Sequence, residues 1–306
     1  MAYDTTDPRS LLAGAEKAAV PVVAYADAET IEFNKVPPSE TGAGFKSWYG
    51  RCQNLVVSYT EVEPGAVLIR EKHADEYMVF FPNPEIKADI ETANGRADDV
   101  SSQLAIVPPG DSRITITAGK GTVMRVFSAL STDLTEKSYN AASYREPHPN
   151  IPPFQPWPAP TAGFKLRLYP IDVAATEGRF GVLYRSTNMM INLFPVATEP
   201  RDPNKMSPHY HDDFEQCSLT LQGDYMHYIR WPWTVNKAIW RDDAKIRCSA
   251  PSITIIPPPA IHTSQALPPA PCHLIDIFGP PRLDFSLKPG WVLNAADYPM
   301  PAGMGS

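Results

Sequence analysis

The sequence predicts an all-β protein made of two similar halves joined by a proline-rich connection. Three observations predict it. Short runs rich in Val, Ile, Thr, Tyr and Phe recur along the 306 residues, bounded by Gly, Pro, Asn and Asp, the composition of strands and their turns. Helical periodicity is scarce. Short segments also recur in the same order in the two halves, which marks an internal duplication.

From the N-terminus, "PRSLLAGAEKAA" at 8–19 carries apolar and Ala positions at helical spacing and predicts a short helical decoration. In the first half "NLVVSYTEV", "EYMVFF" and "RITIT" read as strands, and in the second so do "MMINLFPV", "CSLTLQGDYMHYI" and "SITII". Between them "PHPNIPPFQPWPAP" at 147–160 holds seven of the 34 prolines, where neither a helix nor a central strand can continue. The expected organisation is an N-terminal domain over 1–146, a linker over 147–165 and a C-terminal domain over 166–306. Four matches support the duplication: Asn54 with "LVVSYTEV" against Asn188 with "MMINLFPV", "EKHADEYMVFF" against "HYHDDFEQCSL", "AIVPPGDSRITI" against "ITIIPPPAIHTS", and "NAASY" at 140–144 against "NAADY" at 294–298. The offset grows from 134 to 154 residues, as modest loop insertions in the second copy would produce.

Composition narrows the partners. At 43% hydrophobic and 20% charged, the chain is globular in type. A formal charge of −7, with no concentrated Lys/Arg run, argues against nucleic acid and anionic membranes as partners. No uncharged apolar run approaches the roughly 18 residues of a membrane span, and the early acids leave no signal-peptide core. A cytoplasmic protein with a small-molecule ligand is expected, and a homodimer is compatible with this. Cys52, Cys217, Cys248 and Cys272 form no CxxC pair and read as reduced, mostly buried thiols. Cys217, two residues past Glu215, is placed to share its face.

"SPHYHDDFEQ" at 207–216 concentrates two of the seven histidines beside acids. On an unbroken strand the odd positions His209, His211 and Glu215 would share one face. A first-row divalent ion in a catalytic site takes imidazoles and a carboxylate and keeps positions open for substrate. His262 in "IIPPPAIHTSQ", after an apolar strand and a proline turn, is the candidate fourth ligand. In "DYMHYIRWPW" at 224–233, Tyr228 and Arg230 share a face, and an Arg near a metal suits a carboxylate-bearing substrate. His227 and His273 read as structural histidines, either able to orient a ligand or pass a proton. His227, Tyr228 and Arg230 are therefore the candidate substrate-handling residues.

HxHxxxE, followed some 50 residues later by a proline-led turn and one more His, resembles the two motifs of the cupin superfamily. The resemblance implies two tandem cupin-type antiparallel β-barrels, each a double-stranded β-helix. It implies one metal in the mouth of the second, on His209, His211, Glu215 and His262. Gly223 matches the glycine closing the first motif, displaced by one residue. Pro203, Pro259 and Ala266 replace the family's Gly, Gly and Asn, which affects turns rather than ligands. In the first half Glu71 and His73 stand near the paired-His positions, Glu76 falls one short of the carboxylate spacing, and Arg113 replaces the last histidine. A guanidinium stays protonated and cannot ligate. The N-terminal barrel is thus expected to lack a metal and to serve packing or dimer formation, with Arg113 in a surface ion pair with Glu71 or Glu76 rather than on an anionic ligand.

No P-loop, GxGxxG after a strand, GxSxG elbow or HExxH competes. With Fe(II), the open positions would take a chelating substrate and dioxygen, and many bicupins with one occupied centre are similar to this layout and cleave organic acids or ring diols. A non-haem Fe(II) dioxygenase of a small, anionic, oxygenated or aromatic acid is the favoured expectation. With Zn or Mn the same ligands would suit a sugar-acid isomerase or lyase, and Ni is a further metal the ligands admit. A non-enzymatic small-molecule-binding barrel is the third reading.

Overall fold

The computed structural model describes Val22 and residues 24–303, so the helix expected over 8–19 lies outside the described residues. In the first half run β1 (Glu29–Glu32), β2 (Glu40–Gly42), β3 (Phe45–Arg51), β4 (Leu55–Val62), β5 (Val67–His73), β6 (Tyr77–Phe80), β7 (Lys87–Thr92), β8 (Gly95–Val100), β9 (Gln103–Val107), β10 (Gly110–Ala118), β11 (Gly121–Ser128) and the helix α1 (Thr132–Lys137). The second half has β12 (Arg167–Pro170), β13 (Val182–Arg185), β14 (Met190–Leu193), β15 (Glu215–Gln222), β16 (Asp224–Arg230), β17 (Ala244–Ser249), β18 (Ser252–Ile256), β19 (Ile261–Ala266), β20 (His273–Gly279) and a short α2 (Leu283–Ser286). β-Branched and aromatic residues fill these strands and Gly or Pro punctuates them, so the all-β expectation holds. At Gly223, which alone joins β15 to β16, φ is +75° and a Cβ would sit 2.5 Å from the Cys272 sulfur. Only glycine fits that turn.

Each half folds as one large and one small antiparallel sheet. The large sheets have the orders β12-β9-β6-β11-β4-β3-β2 and β1-β18-β15-β20-β14-β13; the small ones are β5-β10-β7-β8 and β17-β16-β19. The halves trade their first strands. β1 pairs with β18 from Glu29 opposite Ile255 to Glu32 opposite Ser252, while β12 pairs with β9 in the other sheet. Residues 147–166 form no helix or strand. They lie against the seam, with Ile151 buried and the Pro152 carbonyl accepting from Asn54 Nδ2 at 2.9 Å.

The strands of the large sheets are buried on both sides, so alternation sorts residues between two cores. One side faces the other half. Leu55, Val57 and Tyr59 of β4 and Met124 and Val126 of β11 meet Ile191, Cys217, Leu219, Ile253, Ile255, Ile275 and Ile277 there. The other side lines each barrel, and here the halves diverge. The N-terminal barrel is filled by Val56, Val79, Ile90, Val107, Ile114, Ile116, Val123 and Phe127. The equivalent strands of the C-terminal barrel bury Asn192, Gln216, Ser218, Thr220, His227, Ser252, Thr254 and Asp276. Polar groups buried at this density need partners, and partners can include a ligand.

Candidate metal centre

After β14 the chain leaves the sheet, and 194–214 forms no strand beyond isolated bridges. One bridge joins His209 to His262, each N–H donating to the other's carbonyl at 3.0 and 2.7 Å. It sets the two rings side by side with centroids 4.4 Å apart, and His211 completes the group at 5.0 and 5.2 Å. One ring nitrogen from each of the three lies within 4.8 Å of the other two, and all three residues are buried.

Backbone carbonyls fix two tautomers. Nδ1 of His209 lies 2.9 Å from the Ser207 carbonyl and Nδ1 of His262 lies 2.9 Å from that of Ala260. A carbonyl only accepts, so each Nδ1 holds the proton and each Nε2 presents a lone pair. Gln216 places Oε1 3.2 Å from Nε2 of both His211 and His262. Its amide is held that way round because its Nε2 donates to Ser218 Oγ at 3.1 Å and to Asp276 Oδ1 at 3.2 Å, and Asp276 also accepts from Ser218 at 2.7 Å. With neutral His262, an amide oxygen and the His262 lone pair thus face one another, two acceptors that a cation between them would reconcile. Two donors about 2.1 Å from one ion and at right angles are about 3.0 Å apart, so the spacing fits a divalent metal. Burial, helped by the positive Arg282 and the neighbouring imidazoles, holds the pKa of His211 well below its ordinary value, keeping it neutral and able to ligate.

A cavity of about 400 Å³ adjoins His209 and Gln216, with Phe180, Phe194, Arg201 and Tyr225 on its wall. Arg201 is fixed there by donating to the Ser264 carbonyl at 2.9 Å and Ser207 Oγ at 2.8 Å. Asn192, opposite Asp276 in the sheet, is fully buried with both amide atoms unpartnered.

No protein-family model and no curated protein sequence matches this chain. Solved structures do. A variant of Bacillus subtilis oxalate decarboxylase is similar over 85% of this chain and 78% of its own, at 13% identity and a TM-score of 0.54. The formate complex of Lactobacillus farciminis oxalate decarboxylase covers 84% and 88% at 14% identity and 0.53. AerE from Microcystis aeruginosa covers 82% and 96% at 8% identity and 0.51. The fold is that of a bicupin.

Within this fold His209, His211 and His262 converge, but Glu215 does not join them. The period-two reading required an unbroken strand from 207, and the strand begins only at Glu215. Within β15 Glu215, Cys217 and Leu219 face the other half, whereas Gln216, Ser218 and Thr220 face the barrel interior. The Glu215 carboxylate accepts from Gln53 N–H at 2.6 Å and Tyr144 O–H at 2.8 Å, both in the first half. Burial raises its pKa to about 7. Cys217 follows Glu215 to the seam, where it packs in the same core as Cys52.

Tyr228 and Arg230 also lie away from the site. Tyr225, His227 and Ile229 take the inner face of β16, so Tyr228 is turned to Gln265 Oε1 at 2.9 Å and Arg230 is exposed and paired with Asp243. His227 does lie inside the barrel, fully buried, opposite Ser264 and 2.9 Å from its hydroxyl, with Nε2 unpartnered. Burial, then the positive influence of His262, pushes its pKa down to about 3. His273 contacts the Phe194 carbonyl at 3.1 Å. In the first half Arg113 is exposed on β10 between Ile69 and Glu91, and among the described residues no salt bridge joins it to Glu71 or Glu76. The inward position is Ser112, 2.9 Å from the Tyr77 hydroxyl. Gln216, Asp276 and Arg201 were missed from sequence. The apolar odd positions Cys217, Leu219 and Leu221 were the available signal, since they send the even ones into the barrel.

Proposed function

We propose that this chain is a metal-dependent enzyme whose divalent ion is held in the C-terminal barrel by His209, His211, His262 and the Gln216 amide oxygen. Our reading is a non-haem Fe(II) dioxygenase acting on a small oxygenated or aromatic acid. What supports the metal is the approach of the Gln216 oxygen to an imidazole nitrogen at 3.2 Å, an arrangement that a cation between them stabilises when the imidazole is neutral. Such an ion, when bound, supplies Lewis acidity and exchangeable positions for a chelating acid and dioxygen.

The remaining steps belong to the chain's own residues. Three imidazoles and an amide are neutral donors, so the site keeps its full double positive charge and favours an anionic chelator more strongly than a carboxylate-ligated site would. Arg201 on the cavity wall adds a second attraction for a carboxylate. Phe180 and Phe194 pack an apolar or aromatic body and exclude water. Asp276 fixes the orientation of Gln216.

One observation favours a second reading, a Mn-dependent lyase: the similar structures include oxalate decarboxylases, and that of Bacillus subtilis has Mn(II) centres. Elemental analysis of protein purified without chelator, followed by oxygen-electrode and CO₂-release assays on catechols, hydroxybenzoates, diketones and small dicarboxylates, separates the two. Iron with oxygen uptake is expected. Manganese with decarboxylation and no net oxygen uptake selects the lyase. Ligand affinity unaffected by metal removal would reject both in favour of a binding protein.

A further inference from the structure

Strand pairing equates the two barrels position by position. In the first, Arg125 of β11 lies opposite Ser58 of β4 and Val79 of β6; in the second, Asp276 of β20 lies opposite Asn192 of β14 and Ser218 of β15. The offset that relates Asn54 to Asn188 also relates Ser58 to Asn192, so Arg125 occupies the place of Asp276. By the same registers Tyr77 stands where Gln216 does, and the inward Ser112 approaches Tyr77 as His262 approaches Gln216. Of the candidate metal donors only His73 remains on this side, and the buried carboxylate of the other barrel has become a guanidinium.

Arg125 is 5% exposed, and its Nε has no hydrogen-bond partner. Its hydrogen bond is a long one, 3.5 Å from Nη2 to the Tyr49 hydroxyl, and among the described residues no salt bridge reaches it. It lines a cavity of about 550 Å³ at the barrel mouth, together with Tyr49, Arg70 and His73 and under α1. Arg70 and Arg125 both stand 5.4 Å from the centroid of the Phe127 ring. The nearby acids are engaged. Asp133 takes Arg70 at 2.7 and 2.9 Å, Glu40 takes Tyr49 at 2.9 Å and Lys137 at 3.2 Å, and Asp75 takes Ser128 at 2.6 Å and Asn188 at 2.7 Å. Glu71 and Lys72 sit exposed at the rim and offset one another.

We infer that the mouth of the N-terminal barrel is a second ligand site, built for a small carboxylate rather than a metal ion and anchored on Arg125. A buried guanidinium that no carboxylate contacts directly is costly, and its planar fork matches the two oxygens of a carboxylate. Phe45, Leu68 and Leu134 on the same wall give a short aliphatic body its packing. The site is separate from the metal centre and does not depend on it.

Calorimetric titration of chelator-treated full-length protein with acetate, succinate and inorganic phosphate, at fixed ionic strength, tests this. Saturable binding of a carboxylate is expected, weakened roughly tenfold or more in Arg125→Met and unchanged in Arg113→Met and His262→Ala. Should Arg125→Met fail to fold, Arg70→Met and Tyr49→Phe are titrated instead, and each is expected to weaken binding. Equal affinity in the folded Arg125 variant, or in both substitutes where they are used, overturns the site. So do the absence of saturable carboxylate binding, its loss in His262→Ala, and a preference for phosphate over both carboxylates.

Discussion

Gln216 shows how one residue's chemistry depends on which face it takes. Its amide is a weaker donor than a carboxylate, but Asp276 holds its oxygen toward the imidazoles. Gln216→Leu removes that oxygen, and Asp276→Asn lets the amide turn round; each is expected to weaken metal affinity roughly 10- to 100-fold, read by competition with a chromogenic chelator. Glu215→Gln should leave metal stoichiometry unchanged. If it loses metal while Gln216→Leu retains it, the donor set proposed here is wrong. At this scale the histidines were legible because HxH and a distant His are rare in a chain with seven histidines. The inward position of Gln216 was not, because the irregular chain at 210–214 resets the parity of everything after it.

At the scale of elements, the carboxylate that left the site has a counterpart. Glu215 receives Gln53 N–H and Tyr144 O–H from the first half; Glu76, in the first half, receives Thr187 N–H at 3.3 Å and Tyr298 O–H at 2.8 Å from the second. Tyr144 and Tyr298 end the repeated "NAASY" and "NAADY", whose leading Asn140 and Asn294 clamp the backbone of Arg51 and Arg185. The repeated motifs therefore build a reciprocal clasp between the halves. Tyr144→Phe and Tyr298→Phe should each cost about 1–3 kcal/mol in denaturant unfolding, the price of a buried carboxylate losing its donor. The clasp also sets a pH dependence. Burial lifts Glu215 from 4.5 to about 7, so the folded state holds its proton more tightly, and the stability this gives is complete below about 4.5 and lost as pH rises to about 7. In chelator-treated protein, Glu215→Gln should gain on the wild type across that window by an amount on the order of 3 kcal/mol. A difference that stays constant with pH would refute it. His73 acts in the opposite sense: burial lowers it from 6.5 to about 4, so its contribution is present above 6.5 and lost on acidification. Comparing variant with wild type cancels that term.

For the molecule as a whole, the largest hydrophobic core lies between the halves rather than inside either, and each half lends the other a strand. Residues 24–146 expressed alone would expose Leu55, Val57, Met124 and Val126 and lack β12, and should aggregate or self-associate in size-exclusion chromatography. A stable monomer would show that the halves fold independently. Among the described residues no helix is long and apolar enough to cross a membrane.

The sequence by itself determined the all-β class, the duplication and the three histidines, because these rest on composition, on order and on spacing that any chain path preserves. Tertiary structure decided that Gln216 rather than Glu215 faces the histidines, where Arg201 and Asp276 stand, and which barrel is the more apolar inside. Those depend on where a strand starts and which face it buries, and the irregular chain at 210–214 leaves Glu215 at the seam and Gln216 facing the histidines.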